Sequence, residues 1–425
     1  MNLDLAKKLI SEKKYADSLK IVDNLIRLNE KNFELLNLKA FIYFNLQEFQ
    51  KSVQVYSEAL DFKKNAFSAL FFRSISYMEL ANYELALTDM KLADKVKPNT
   101  PEVFYNIGWI YTNLGKNHES INYFTKALAL NENYTAAKEN LITRLAQTES
   151  VNHENSLLIK THKEINKFSF SYNEIDKINE KNIKDLFTKS NELVIRNLPK
   201  IEFSETQLFR RSDYDLSCER HFKLFNNHKV IPKYCFSCFK VQVDLKDVLD
   251  LIKLHILFDN FNLAKRNIRK CMIELRPEIS GNYKGYIYCD SLDEARDIQS
   301  KLNKLLRVNI NENITSSVKR GCSEFSIEYP KYKNLDTDVM IYNEEWINFE
   351  KLIDQKHPDL TFYNKKQLPI KGISLSDMLI MRNWLYFAKM IGDESYKRIS
   401  NYDFSNKFLS DKIEQRNYKP TNLEN

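Results

Sequence analysis

The 425-residue chain carries 64 Lys and Arg against 57 Asp and Glu, 43% hydrophobic residues and seven glycines, a balance typical of folded chains with two to three domains. With no G-x-x-x-x-G-K and no G-x-G-x-x-G in the sequence, a P-loop or a dinucleotide fold is disfavoured. The basic excess is diffuse, whereas backbone recognition needs positive charge gathered on one face, so nucleic acid is not an expected partner.

The N-terminal "MNLDLAKKLISEKKY" has no apolar core flanked by small residues. A cleaved secretory signal is therefore not expected, the cysteines are expected to be reduced, and a cytoplasmic location follows as the default. The longest apolar run, "VLDLIKLHILF", is broken by Asp250, Lys253 and His255, so no membrane span is expected.

Segments beginning at Phe33, Phe67 and Pro101 are spaced by 34 residues, and a partial copy precedes them at Tyr15 to Leu28. Eighth positions read Ala40, Ser74 and Gly108; eleventh, Tyr43, Tyr77 and Tyr111; twentieth, Ser18, Ser52, Ala86 and Ser120. Twenty-fourth positions read Val22, Tyr56, Met90 and Phe124, and twenty-seventh Leu25, Ala59, Ala93 and Ala127. Small residues stand where two helices of a hairpin must touch, and large ones fill the gap beside them. This pattern resembles the tetratricopeptide repeat family over residues 1–147, with "PEVFYNIGWIYTNLGKNHESINYFTKALALNEN" as its clearest copy. Two departures are visible: the closing proline occurs only as Pro98, and Asn117 replaces the aromatic residue of Tyr15, Phe49 and Tyr83.

The resemblance implies an α-helical tetratricopeptide repeat array, an α-α superhelix, whose groove is lined by the first helix of each hairpin. It places Asn37, Phe41 and Phe44, then Phe71, Ile75 and Met78, then Glu102, Tyr105, Trp109 and Thr112 in that groove. Phe41, Ile75 and Trp109 stand where relatives that clamp a terminal carboxylate use Lys, Arg or Asn, so that clamp is expected to be absent. An apolar stripe of this kind marks an interaction site. The expected occupant is a protein or amphipathic helical segment, either a partner's or this chain's own, such as Leu375 to Met390.

Residues 148–190 read as a connector, with "TESVNHENS" as a loop and "HKEINKFSF" and "EKNIKDLFTKS" as short helices. All six cysteines fall between 218 and 322, inside a region 191–400 expected to be an α+β domain with a candidate zinc site. In "CERHFKLFNNHKVIPKYCFSC", Cys218 and His221, then Cys235 and Cys238, form two close pairs bracketing one loop. That is the ligand type and spacing of a closed tetrahedral zinc site. His228 is an alternative to His221. An iron-sulfur cluster would instead recruit Cys218, Cys235 and Cys238 with Cys271, Cys289 or Cys322, and ordinary packing or a catalytic thiol are further readings of the same cysteines.

Further along, "DLKDVLDLIKLHILF" reads as a buried helix capped by Asp244. "CMIELRP" and "YKGYIYC" read as a hairpin pairing Cys271 with Cys289 and Ile273 with Ile287. The tyrosines of the second strand are taken as packing residues, since no second aromatic strand accompanies them. Ser291 and Glu294 have capping-box spacing at the head of "SLDEARDIQSKLNKLL", and "CSEFSIEY" reads as a third strand. Arg210, Arg211, Lys265, Arg266, Arg269, Lys270 and Arg276 can grip phosphates or carboxylates, but a solvated helix face is the reading adopted. "YNEEWINFEKL" is expected to turn Trp346, Phe349 and Leu352 inward. "SLSDMLIMRNWLYFAKMIG" is expected to run from Ser374 or Ser376 to Gly392, and residues 401–425 to form a C-terminal tail whose last stretch, "KIEQRNYKPTNLEN", is frayed. The repeat array makes a protein-interaction scaffold the first functional expectation. A transferase or metal-dependent enzyme seated in 190–400, served by the array as a recruiting arm, is the second.

Overall fold

In the computed structural model the described residues are 3–28, 32–148, 156–168, 178–210, 218–265, 267–277, 279–356 and 372–415. The chain divides into two compact units, Met1–Arg144 and Leu145–Asn425. No described helix is long and apolar enough to cross a membrane.

The first unit is a train of antiparallel helices: α1 (Leu3–Ser11), α2 (Tyr15–Leu28), α3 (Phe33–Asn45), α4 (Phe49–Phe62), α5 (Phe67–Glu79), α6 (Tyr83–Val96), α7 (Pro101–Asn113), α8 (Asn117–Leu130) and α9 (Thr135–Leu145). The 34-residue period is written into the turns. Lys13, Gln47, Ala81 and Gly115 all take positive φ, between 58° and 71°. At each turn the following amide donates five residues back, Lys14 to Leu9, Glu48 to Tyr43, Asn82 to Tyr77 and Lys116 to Tyr111, at 2.8–2.9 Å. This is the left-handed C-terminal cap of a helix, repeated four times.

The small residues do what their positions imply. Ser18 Oγ donates to the Ala6 carbonyl at 2.9 Å and Ser52 Oγ to that of Ala40 at 3.1 Å, while in the next hairpin Ser74 reverses the arrangement by donating to Ala86 at 2.7 Å. Two helices can exchange such a bond only if both contact positions are small. Gly108 shows the limit: a Cβ there would stand 2.8 Å from the ring of Phe124, the aromatic residue at the large position of that repeat.

The second unit holds a five-stranded antiparallel sheet in the order β1-β3-β4-β2-β5, with β1 Gln207–Arg210, β2 Phe239–Leu245, β3 Arg269–Ile273, β4 Tyr283–Cys289 and β5 Ser316–Arg320. Its helices are α10 (Leu157–Asn166), α11 (Glu180–Asn197), α12 (Cys218–His228), α13 (Val248–Asn260), α14 (Leu292–Asn309), α15 (Phe325–Glu328), α16 (Glu344–Lys356), α17 (Leu375–Met390) and α18 (Lys407–Gln415). The run β2-α13-β3-β4-α14-β5 is a split βαβ arrangement. Val241, Val243, Ile287 and Cys289 are buried on the face that α13 and α14 cover. Gly285 lets α13 approach, since a Cβ there would meet Leu254 at 2.2 Å.

Several expectations need correction. The β3–β4 register pairs Cys271 with Gly285 and Ile273 with Tyr283, not with Cys289 and Ile287. The turn closes earlier, with the Glu274 amide bonded to the Asn282 carbonyl at 2.8 Å and Gly281 at φ +80°. Cys289 lies beside Phe239, four residues and about 13 Å along the strand from Cys271's partner. The cap of α13 is Asp247, which accepts from the Asp250 amide at 2.9 Å; Asp244 belongs to β2 and accepts from Gln242.

The strand expected at "CSEFSIEY" is β5, which ends at Arg320, and Phe325 instead buries itself from the short α15. On α16 Trp346 is buried but Phe349 and Leu352 are exposed. Glu350, one turn after Trp346, takes the inward position and accepts from Arg220, the Lys233 amide and Tyr342. "KIEQ", expected to be frayed, closes α18, with Ile413 buried. Helix α17 starts at the Ser374 cap with a capping box to Asp377, as its sequence implies. Its buried side chains are engaged within the second unit by β1, α10, α11, α13 and α18, so it is not a free segment for the groove. Residues 149–155 of "TESVNHENS" lie outside the described residues, as do Arg211 and Arg266.

Candidate functional site

In the first unit, Asn37, Phe41 and Phe44 stand on α3, Phe71, Ile75 and Met78 on α5, and Tyr105 and Trp109 on α7. All are half-buried except Met78, which lies in the core. Phe72 joins neighbouring hairpins by meeting Phe41 edge-on at 5.0 Å, and it also meets Phe71 of its own helix edge-on at 5.4 Å. Trp109 packs against Tyr83 at 6.0 Å, and Tyr105 against Tyr134 at 5.0 Å. Asn37 accepts from Ser68 at 3.2 Å. Within the array, Arg73 grips both oxygens of the buried Asp89 at 2.6 and 2.7 Å.

In the second unit, Cys218 opens α12 and is exposed, and His221, one turn on, is 2% exposed. Cys235 is buried in a 3-10 turn (Lys233–Phe236) among Phe225, Phe325, Tyr332 and Trp346. Cys238 sits immediately before β2, against Gly321, where a Cβ would come within 2.3 Å of its sulfur. The chain thereby carries Cys322 to 3.5 Å from His221 Nε2, with Glu324 Oε1 at 3.6 Å from the same nitrogen.

His221, Cys322 and Glu324 each offer a ligand atom within 4.8 Å of the others. Tetrahedral zinc with bonds of 2.0–2.3 Å holds its ligand atoms about 3.3–3.8 Å apart, so the two shorter separations match what an ion requires. From sequence, Cys322 is a candidate only as the fourth thiolate of a cluster, and Glu324 is no candidate. Neither carries a spacing signal, because β5 and the Gly321 turn bring them to His221 from a hundred residues away.

Burial pushes the Cys235 thiol well up, and Cys322, Cys238 and Cys218 push it the same way. Burial raises Cys238 to about 12, and Cys322 also rises through burial, then Glu324. These thiols stay protonated without a cation beside them, and a bound cation inverts that preference. Burial opposes ionisation of Glu324, but the His221 hydrogen bond, a backbone hydrogen bond and the His221 and Lys240 charges together outweigh it and hold the carboxylate below its usual range.

Cys218, His221, Cys322 and Glu324 form one wall of a cavity of about 570 Å³ on the sheet face away from α13 and α14. Phe209, Lys240, Lys270, Met272, Tyr286 and Tyr288 also line it. Burial, then Lys240 and Arg276, brings Lys270 down to about 8. Of the remaining basic residues, Lys265 pairs with Asp290 at 2.9 Å, Arg276 with Glu274 at 2.8 Å, and Arg269 donates to the Phe258 carbonyl. Arg210, 5% exposed, is locked among Asp259 (2.5 Å), Asp377 (3.3 Å), His255 (2.9 Å) and the Gly372 carbonyl (2.7 Å).

Tetratricopeptide-repeat family models match residues 33–65 and 101–134. The chain is 29% identical over 94 residues to a DnaJ homolog subfamily C member 7 homolog from Schizosaccharomyces pombe, covering 21% of this chain and 20% of that protein; it thus spans about a fifth of that relative's length. Among solved structures it is similar to MamA from Desulfovibrio magneticus RS-1 (18% identity, 45% of this chain and 91% of that chain, TM-score 0.35). It is also similar to YrrB, a TPR protein with an unusual peptide-binding site (15% identity, 31% and 69%, TM-score 0.30). A third is the first TPR of Spaghetti (RPAP3) bound to an HSP90 peptide (19% identity, 27% and 92%, TM-score 0.26). The first unit of this chain therefore contains tetratricopeptide repeats, at 33–65 and 101–134, with the same 34-residue spacing carried through the hairpin between them.

Proposed function

We propose that the chain is a protein-interaction scaffold whose repeat array receives an amphipathic helical segment of a partner, and whose second unit is held together by a zinc ion. The observation that carries the first part is the row of half-buried Phe41, Phe44, Phe71, Ile75, Tyr105 and Trp109 along α3, α5 and α7. Aromatic anchors of this kind supply most of the affinity where a helix lies in a groove. Replacing Phe71 and Trp109 together with Ala is expected to abolish capture of the proteins that the wild-type chain cross-links through this row, a loss of tenfold or more in affinity. Unchanged capture would remove the array's groove as the binding surface.

The zinc reading draws on the His221–Cys322–Glu324 separations together with the buried thiols of Cys235 and Cys238 and the exposed Cys218. Elemental analysis of the purified chain is expected to give about one zinc. Cys322→Ser and Cys235→Ser should each lower that content and loosen the second unit alone, because ligand binding is coupled to its folding. Iron with acid-labile sulfide would favour the cluster reading instead, and a metal-free wild-type protein would end both.

A further inference from the structure

The open face of the sheet has an electrostatic imbalance. Lys240 is 8% exposed and borders the cavity, yet among the described residues its ammonium group makes no hydrogen bond or ion pair. Its ammonium group lies 5.3 Å from the centre of the Tyr286 ring. Lys270, on the neighbouring strand directly opposite Tyr286, lies 5.4 Å from the same ring and 5.6 Å from that of Phe209. Among the described residues it donates only to the neutral Gln207 Oε1, at 3.2 Å.

The carboxylates bordering the cavity are already engaged. Glu274 is held by Arg276 at 2.8 Å and faces Lys284 at 3.6 Å, and Glu324 faces His221. Two ammonium groups are thus enclosed together, and among the described residues no carboxylate forms an ion pair with either. A buried charge without a partner is a substantial energetic penalty, and an occupying anion would remove it.

We propose that this cavity binds a small organic anion, a carboxylate or a phosphate monoester, gripped by Lys240 and Lys270 with its body against Phe209, Met272 and Tyr286. A volume near 570 Å³ is in the range that encloses a small ligand. Aromatic and thioether walls with a few converging charged donors are the usual construction of such a site. The inference stands on the lysines and does not require the zinc ion.

The test is calorimetric titration of the full chain with inorganic phosphate, citrate and AMP, at constant ionic strength set with sodium chloride. At least one probe is expected to bind at millimolar concentration or below and to raise the thermal midpoint. Phosphate or AMP binding identifies the phosphate class, and citrate binding the carboxylate class. Lys240→Met and Lys270→Met should each weaken that binding about tenfold or more, the value of a charged hydrogen bond, while Lys240→Arg retains it. Met matches the lysine stem and deletes an unpaired charge, so both variants should melt no lower than wild type without ligand. Absence of binding by all three probes, or binding that survives in both Met variants, overturns the proposal.

Discussion

At the scale of single residues, the array depends on one backbone conformation repeated at intervals of 34. Lys13, Gln47, Ala81 and Gly115 hold the left-handed position of their turns, yet only the last has the side chain suited to it. A β-carbon in that region disfavours an L-residue by about 1–2 kcal/mol, and glycine gives back about 0.5–1 kcal/mol through its freer unfolded chain. The balance predicts that Ala81→Gly stabilises the array by about 0.5–1 kcal/mol. Amide exchange in α5 and α6 should then slow about two- to fivefold. Equal or faster exchange would mean that the surrounding turn, with its Asn82 to Tyr77 bond, has already absorbed the strain.

At the scale of elements, what could be read from sequence is what local physics decides. The starts of α3, α5 and α7 fall at Phe33, Phe67 and Pro101, because contact between paired helices leaves no freedom at Ala40, Ser74 and Gly108. The cap of α14 is likewise visible as Ser291, and that of α17 is narrowed by sequence to Ser374 or Ser376, of which Ser374 holds it. Strand register was not, since alternation along "CMIELRP" and "YKGYIYC" fixes which face a residue takes but not which partner it meets. The deciding constraint was Gly285 beneath Leu254 and Phe258, a contact made by a helix that lies between β2 and β3 in sequence. β1 and β2 went unassigned for a related reason. In β2, Lys240 and Gln242 are buried beside Val241 and Val243, so its polar residues look solvated until the cavity above them is seen. The candidate metal cluster followed the same rule: His221 was legible from its spacing to Cys218, whereas Cys322 and Glu324 depend on where β5 ends.

At the scale of the whole molecule, the two units should respond differently to acid. In the second unit His162 is 3% exposed, its Nδ1 has no hydrogen-bond partner among the described residues, and burial lowers it from 6.5 to about 4. Burial, then the Arg210 charge, also pushes His255 well down. Both groups are therefore neutral in the folded state and take up protons more readily when unfolded. Their contribution is fully present above pH 6.5 and is lost as the pH falls toward the folded value. For His162 the loss at pH 5 is about 2 kcal/mol, and His255 adds to it. Asp250 works in the opposite sense: burial and then Asp247 raise it to about 6, so protonation favours the folded state and returns about 1 kcal/mol at pH 5. The described part of the array has only His118, which is exposed, and so lacks this sensitivity. Hydrogen exchange at pH 7 and pH 5, corrected for intrinsic rates, should show protection falling in α10, α13 and α17 while α3 to α8 hold steady. His162→Gln should reduce the fall, and Asp250→Asn should steepen it. Parallel loss in both units, or a fall that His162→Gln leaves untouched, would show that the acid response arises elsewhere than in these buried groups.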